Sequence, residues 1–177
     1  MFEQIRKDYT VHGRSLSNPA LWAMAVYRFG QWADRLRPVP LRWLFGKAYG
    51  ALMIFAPIVT GVHIERSVRV GQGFHIVHAG GIFIHPDVTM GERCGVMQNV
   101  TIGINMKEGV PKIGDDVFIG AGAVILGDIT IGTRARIAAN SLVISDVPSG
   151  AVAMGVPAKI YPNLAGLEAQ MKKPESP

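Results

Sequence analysis

A chain of 177 residues, 49% hydrophobic and 18% charged, is too apolar to be disordered and long enough to bury one core with a modest appendage. Its only cysteine, Cys94, excludes a disulfide framework, and its place among apolar repeat positions reads as a buried, inert thiol. The net charge of +5 lies wholly in residues 1–50, which hold eight Lys and Arg against three Asp and Glu, whereas residues 51–177 hold ten of each; with no aromatic-basic interleaving and no recognition motif, no nucleic-acid partner is expected.

The N-terminus, Met1-Phe2-Glu3-Gln4-Ile5-Arg6, lacks the apolar stretch of a secretory signal, so the expected location is cytoplasmic. Asn18-Pro19 supplies an N-cap and a proline at the first helical position. After it Trp22, Val26, Phe29, Ala33 and Leu36 recur at helical spacing, a stripe expected to face the core. Pro38-Val39-Pro40 closes that helix, and Leu41 to Phe55 reads as a second, more apolar one. The uncharged run Ala48 to Val62, broken by Gly50, Pro57 and Gly61, falls short of the roughly 18–20 residues that span a bilayer. Residues 1–60 are thus expected to form a helical cap that packs on the remainder of the chain and hides its open edge. Arg28, Arg35, Arg37, Arg42 and Lys47 leave two readings open. One is a basic cap facing solvent; the other is a peripheral contact with the anionic inner face of the membrane.

From residue 61 a period of six takes over. Aliphatic residues recur at Ile64, Val70 and Ile76, slip by two, and resume at Ile84, Met90, Val96 and Ile102. A longer interruption at 103–112 precedes Ile113, Ile119, Ile125, Ile131, Ile137 and Val143. The fifth place of each hexad is small or β-branched, as in Val88, Cys94, Val100, Val117, Ala123, Ala135 and Ser141. Six fits neither a helix at 3.6 nor a plain sheet at two. It fits a coil with three short faces, one hexad per face, whose stacked coils pair as parallel strands. The fold class is therefore mainly β, a left-handed parallel β-helix of about four to five coils over residues 61–160, with residues 161–177 as a C-terminal tail in which 163–173 reads as a short helix.

The resemblance rests on particular stretches: Gly71-Gln72-Gly73-Phe74-His75-Ile76-Val77-His78-Ala79-Gly80-Gly81, Gln98-Asn99-Val100-Thr101-Ile102-Gly103, Pro111-Lys112-Ile113-Gly114, Ile119-Gly120-Ala121-Gly122-Ala123 and Gly155-Val156-Pro157-Ala158-Lys159-Ile160. From Trp22 to Ile160 the chain resembles the serine acetyltransferase branch of the hexapeptide-repeat acyltransferases. The resemblance implies acetyl-CoA as co-substrate and makes His78 the general base toward an acceptor hydroxyl, a role suited to imidazole. It implies a pantetheine arm lying on the small residues Ala121 and Ala139, and backbone N–H groups near Gly103 and Ile104 as oxyanion donors. Lys159 is matched to a CoA phosphate, with a solvated lysine as the plain alternative. It also implies a homotrimer with sites between subunits, a single trimer because the helical extension is short.

The departures bear on the acceptor. Serine acetyltransferases carry an aspartate fifteen residues before the catalytic histidine, and this chain has His63; the aspartate just before that histidine is Val77; an Arg-His pair before the Pro-Lys-Ile is Gly109-Val110. Glu65, on the same coil, is the candidate stand-in as partner of His78. Without the groups that hold serine's ammonium and carboxylate, the expected acceptor is a sugar hydroxyl of a surface polysaccharide or glycolipid, with serine itself as the alternative. Two rivals remain, a non-catalytic scaffold coil and a metal-dependent hydratase drawing on His63, His75, His78 and His85. No metal is expected.

Overall fold

In the computed structural model, which describes residues 2–106 and 109–163, three helices precede a three-sided parallel β-coil. The helices are α1 (Phe2–Val11), α2 (Pro19–Asp34) and α3 (Val39–Thr60). The first face of the coil stacks strands Val62–Ile64, Ile82–Ile84, Thr101–Gly103, Val124–Leu126 and Leu142–Val143. The second stacks Arg69–Val70, Thr89–Met90, Lys112–Ile113 and Thr130–Ile131. The third stacks His75–Ile76, Gly95–Val96, Phe118–Ile119, Arg136–Ile137 and Val152–Met154, closed by the antiparallel strand Lys159–Tyr161. The short helix expected over 163–173 lies outside the described residues, apart from Asn163 itself.

Register explains the hexads. Ile64, Ile84, Ile102, Ile125 and Val143 pair in sequence on the first face; Val70, Met90, Ile113 and Ile131 do so on the second; Ile76, Val96, Ile119 and Ile137 on the third. Each aliphatic side chain therefore sits on its counterpart in the coil below, and all thirteen are buried. The fifth-place residues are interior as well, from Val88 to Ser141. Two columns of apolar side chains per face fill the prism, and each coil is covered only by its neighbours.

The first coil has no neighbour on its outer edge, and the helices close it with single polar anchors. The Tyr27 hydroxyl donates to the Val68 carbonyl at 2.7 Å and accepts the Val70 N–H at 3.3 Å. The Tyr49 hydroxyl accepts the Arg66 N–H at 3.0 Å. His12 accepts the Ile76 N–H on Nε2 at 3.1 Å while Nδ1 donates to the Asp8 carbonyl at 2.7 Å. Thr60 Oγ1 accepts the Val62 N–H at 3.2 Å. Backbone groups that water or a further strand would otherwise satisfy are thus paired from the cap.

Two expectations for residues 1–60 change, and helix α1 was not foreseen at all. Among the described side chains of α1 the buried one is Asp8, bonded to Arg28 Nε at 3.0 Å with both side chains out of water. On α2 the buried residues are Ala20, Leu21, Ala23, Met24, Tyr27, Arg28, Gly30 and Ala33, so of the expected stripe only Ala33 is fully buried. Trp22 is 55% exposed and its indole donates to the Leu16 carbonyl; small alanines, not the tryptophan, permit close approach to the coil. Helix α3 runs for 22 residues, beyond Leu41–Phe55 at both ends. Pro38, in the break after α2, caps its start and Pro40 lies in its first turn, Pro57 is tolerated inside its last turn, and Gly61 ends it in the left-handed conformation. It is long and apolar enough to cross a membrane, which the count of uncharged residues alone had excluded.

Candidate active site

The two-residue slip in the hexads is where the coil makes a larger corner. Val77 to Gly81 bridge the third face to the first, and Gly80 and Gly81 have φ of 119° and 64°. A Cβ on Gly81 would meet the Asn99 side chain of the next coil, so the position is restricted to glycine. His78 stands on this corner, exposed, and among the described residues no hydrogen bond holds its ring.

Below it the corner repeats. Because Ile76, Val96, Ile119, Ile137 and Ala153 are in register, the residues two further on fall into one column: His78, Gln98, Ala121, Ala139 and Gly155. Hydrogen bonds tie the layers, from Asn99 N–H to the Gly80 carbonyl, Gly122 N–H to Gln98 and Asn140 N–H to Ala121. At about 4.8 Å per coil the column is about 19 Å long. Its foot is the Gly155–Ala158 turn, held by Ala158 N–H to the Leu142 carbonyl and Leu142 N–H to Gly155, with Lys159 the next residue. His78, Ala121, Ala139 and Lys159 are therefore brought to one edge.

Glu65, Gly103 and Ile104 are not. Ile64, Ile84 and Ile102 are in register, so Glu65, His85 and Gly103 stack on the opposite edge of the first face. Four residue steps lead from Gly81 to His85, about 13 Å at about 3.3 Å each. Glu65 shares a coil with His78 but not a corner. Its carboxylate lies 3.8 Å from His63 Nε2, whose ring stacks on Phe83 at 5.1 Å, and among the described residues nothing bonds it to His78. Gly103 and Ile104 open the 103–112 loop. There Ile104, with His85, Asp87, Met106 and Val110, lines a cavity of about 530 Å³.

Two residues near His78 escaped the sequence reading. Gln98 lies directly beneath it in the column, and its Oε1 is buried with no partner among the described residues, an acceptor left for a ligand or water. Its signal was present in the stretch Gln98-Asn99-Val100-Thr101-Ile102-Gly103. His12 is the other. It meets His75 edge-on at 5.3 Å, and burial, then His12, then His78 hold His75 below its ordinary pKa. Cys94 is interior, donates to the Gly114 carbonyl, and burial pushes its thiol up to about 11; it is no nucleophile. Among the described residues no group of three His, Cys, Asp or Glu could hold a metal ion. The hydratase reading requires such a group.

An edge of small residues with close backbone approach suits an extended, narrow ligand such as a pantetheine arm, and the basic Lys159 lies by its foot. Residues 111–145 match the family described as "Bacterial transferase hexapeptide (six repeats)". The chain is similar to the serine acetyltransferase of Synechococcus elongatus, 34% identical over 149 residues, covering 82% of this chain and 58% of that one. Among solved structures it is similar to the Neisseria gonorrhoeae serine acetyltransferase, with a TM-score of 0.77, 30% identity, and coverage of 99% of this chain and 70% of that one. It is also similar to a serine acetyltransferase in complex with CoA, with a TM-score of 0.75, 28% identity, and coverage of 89% and 68%. The chain spans about half the length of the curated relatives it matches, 58% of one and 49% of another. Relatives 34–38% identical carry the serine acetyltransferase name, and this overturns the expectation of a sugar acceptor. That expectation weighed three substituted positions against a likeness running through cap and coil together.

Proposed function

We propose that this chain, which belongs to the hexapeptide-repeat acyltransferases in their serine acetyltransferase-like branch, moves an acetyl group from acetyl-CoA to the hydroxyl of serine. The observation that carries the reading is the corner column, which sets an exposed imidazole at one end of a ledge of small residues and a basic residue by the other. Acetyl-CoA supplies an activated thioester carbonyl. His78 takes the proton from the serine hydroxyl as its oxygen bonds to the acetyl carbon. The carbon–sulfur bond then breaks, and the imidazolium returns the proton to the departing CoA sulfur. Ala121 and Ala139 leave room for the arm, Lys159 meets a phosphate, and Gln98 Oε1 accepts a hydrogen bond from the ligand.

The expected oxyanion donors, Gly103 and Ile104, lie across the first face from the column. In a homotrimer that far edge of one subunit would face the His78 edge of the next, which completes the site and is part of this proposal. Val77 and Gly109-Val110 stand where the branch places charged groups for serine. Val77→Asp is therefore expected to lower the KM for serine about tenfold or more, with kcat less affected. The reading is tested by incubating the full chain with acetyl-CoA and L-serine. Free CoA thiol and O-acetylserine, seen by mass spectrometry and dependent on both substrates, are expected. Thiol release that serine does not accelerate would overturn it.

A further inference from the structure

The outer side of α3 has no part in the coil or in the corner site. Leu44 is 54% exposed, Phe55 64%, Ile58 78% and Val59 78%. At 100° per residue these positions and Leu52 lie together, with the exposed Ile54 and Trp43 beside them, and only Tyr49 and Thr60, on the far side, are buried. An exposed apolar face running the length of a 22-residue helix is more than the scattered surface apolar residues of a soluble protein, and it marks an interaction site. We propose that this face rests in the surface layer of an anionic lipid bilayer, with α3 lying in the membrane plane.

Length and composition would let α3 span a bilayer, but its packing prevents it. Tyr49 holds the first coil through the Arg66 N–H, Phe45 packs edge-on against Phe29 and Trp32 of α2, and Gly61 leads straight into the first strand. A helix fixed along a folded body by one narrow side, with most of its remaining surface apolar, is held parallel to a membrane surface and not across it.

Charge identifies the lipid. Helix α3 contains no acidic residue, and its cations, Arg42 and Lys47, fall in its N-terminal half. Arg35 and Arg37 are exposed just before it, and Lys47 Nζ lies 5.9 Å from the ring centroid of the exposed Trp43, the side chain that favours the headgroup layer. Asp34, the acid nearest this cluster in sequence, is engaged by Arg66 Nε at 3.1 Å. Arg28, counted with the cluster in the sequence, is buried on Asp8 and takes no part. A second copy on this face would bring these cations together with no acid on the helix to meet them. An anionic lipid surface meets both the cations and the apolar side chains.

The test uses the full chain and flotation with vesicles of phosphatidylcholine, with or without phosphatidylglycerol. It reads binding, not catalysis, so it stands whether or not serine is the acceptor. Flotation is expected with the anionic vesicles and is expected to fall in high salt. Joint replacement Arg35→Gln, Arg37→Gln and Arg42→Gln should weaken binding about fivefold per charge, on the order of 100-fold together. Phe55→Glu with Ile58→Glu, both on the exposed face, should abolish flotation while the melting temperature and the light-scattering mass stay unchanged. Failure to float on anionic vesicles, or undiminished flotation by the glutamate variant, would overturn the proposal. So would a lower light-scattering mass for that variant, which would assign the face to contact between copies.

Discussion

The coil and the helical cap hold themselves together by different means. In the coil every layer repeats the same apolar side chains over the layer below, so burial is distributed and no residue is unique. In the cap a few polar side chains act one by one. Asp8 holds Arg28, and His12, Tyr27 and Tyr49 each cap a backbone group at the first coil's edge. A repetitive core is written plainly in the sequence. An attachment made of single hydrogen bonds is not.

The largest stability effects should separate the two regions. Ile119→Ala, at a fully buried layer of the coil, is expected to cost about 2–5 kcal/mol, and no single second change nearby should restore it. Asp8→Ala should cost a similar amount, about 3–5 kcal/mol, because it strands the buried Arg28 guanidinium. Here rescue is expected: Asp8→Leu with Arg28→Met should recover most of the loss, since two apolar residues replace two charges. Chemical denaturation of the three variants checks this, and a double variant no better than Asp8→Ala would erase the distinction drawn between the regions. A smaller loss, about 1–3 kcal/mol, is expected for Tyr27→Phe, which leaves the Val68 carbonyl and Val70 N–H without their partner. A loss below the error of the melt would mean that water satisfies the coil's edge as well as the cap does.

The smallest effect lies where the regions meet. His75 is held below its ordinary value of 6.5 by burial, then by His12, then by His78. The unfolded chain therefore binds this proton more readily than the folded one, and the contribution is complete above about pH 6.5 and lost as pH falls through the lowered folded value. Melting temperatures between pH 7.5 and 5 should decline for the native chain and decline less for His75→Asn. Parallel curves would remove His75 from the account.

The coil was legible because its period has one physical cause. Even its irregularity was informative: the slip after Ile76 is the corner that carries His78. The hexads assign a residue to a coil, however, and say less about which edge it occupies, which is why Glu65 could be matched to His78 when register puts it with His85 and Gly103. The anchor of helix α1, Asp8, is polar and leaves no apolar period to read. The buried side of α2 shares Ala33 with the expected stripe, but small residues and Tyr27, not the large Trp22, face the coil. Gln98 stands in a stretch that carries the family resemblance, but only the stacking of Val96 between Ile76 and Ile119 reveals it as the neighbour of His78.

The central claim is that the corner column is an acetyl-transfer site with His78 as its base. Steady-state CoA release from acetyl-CoA and L-serine, compared for the native chain and His78→Ala with CoA affinity measured by calorimetry, tests it most directly. The account predicts a fall in kcat of about 100-fold or more with CoA affinity unchanged. A variant that turns over near the native rate, or one that no longer binds CoA, would contradict it.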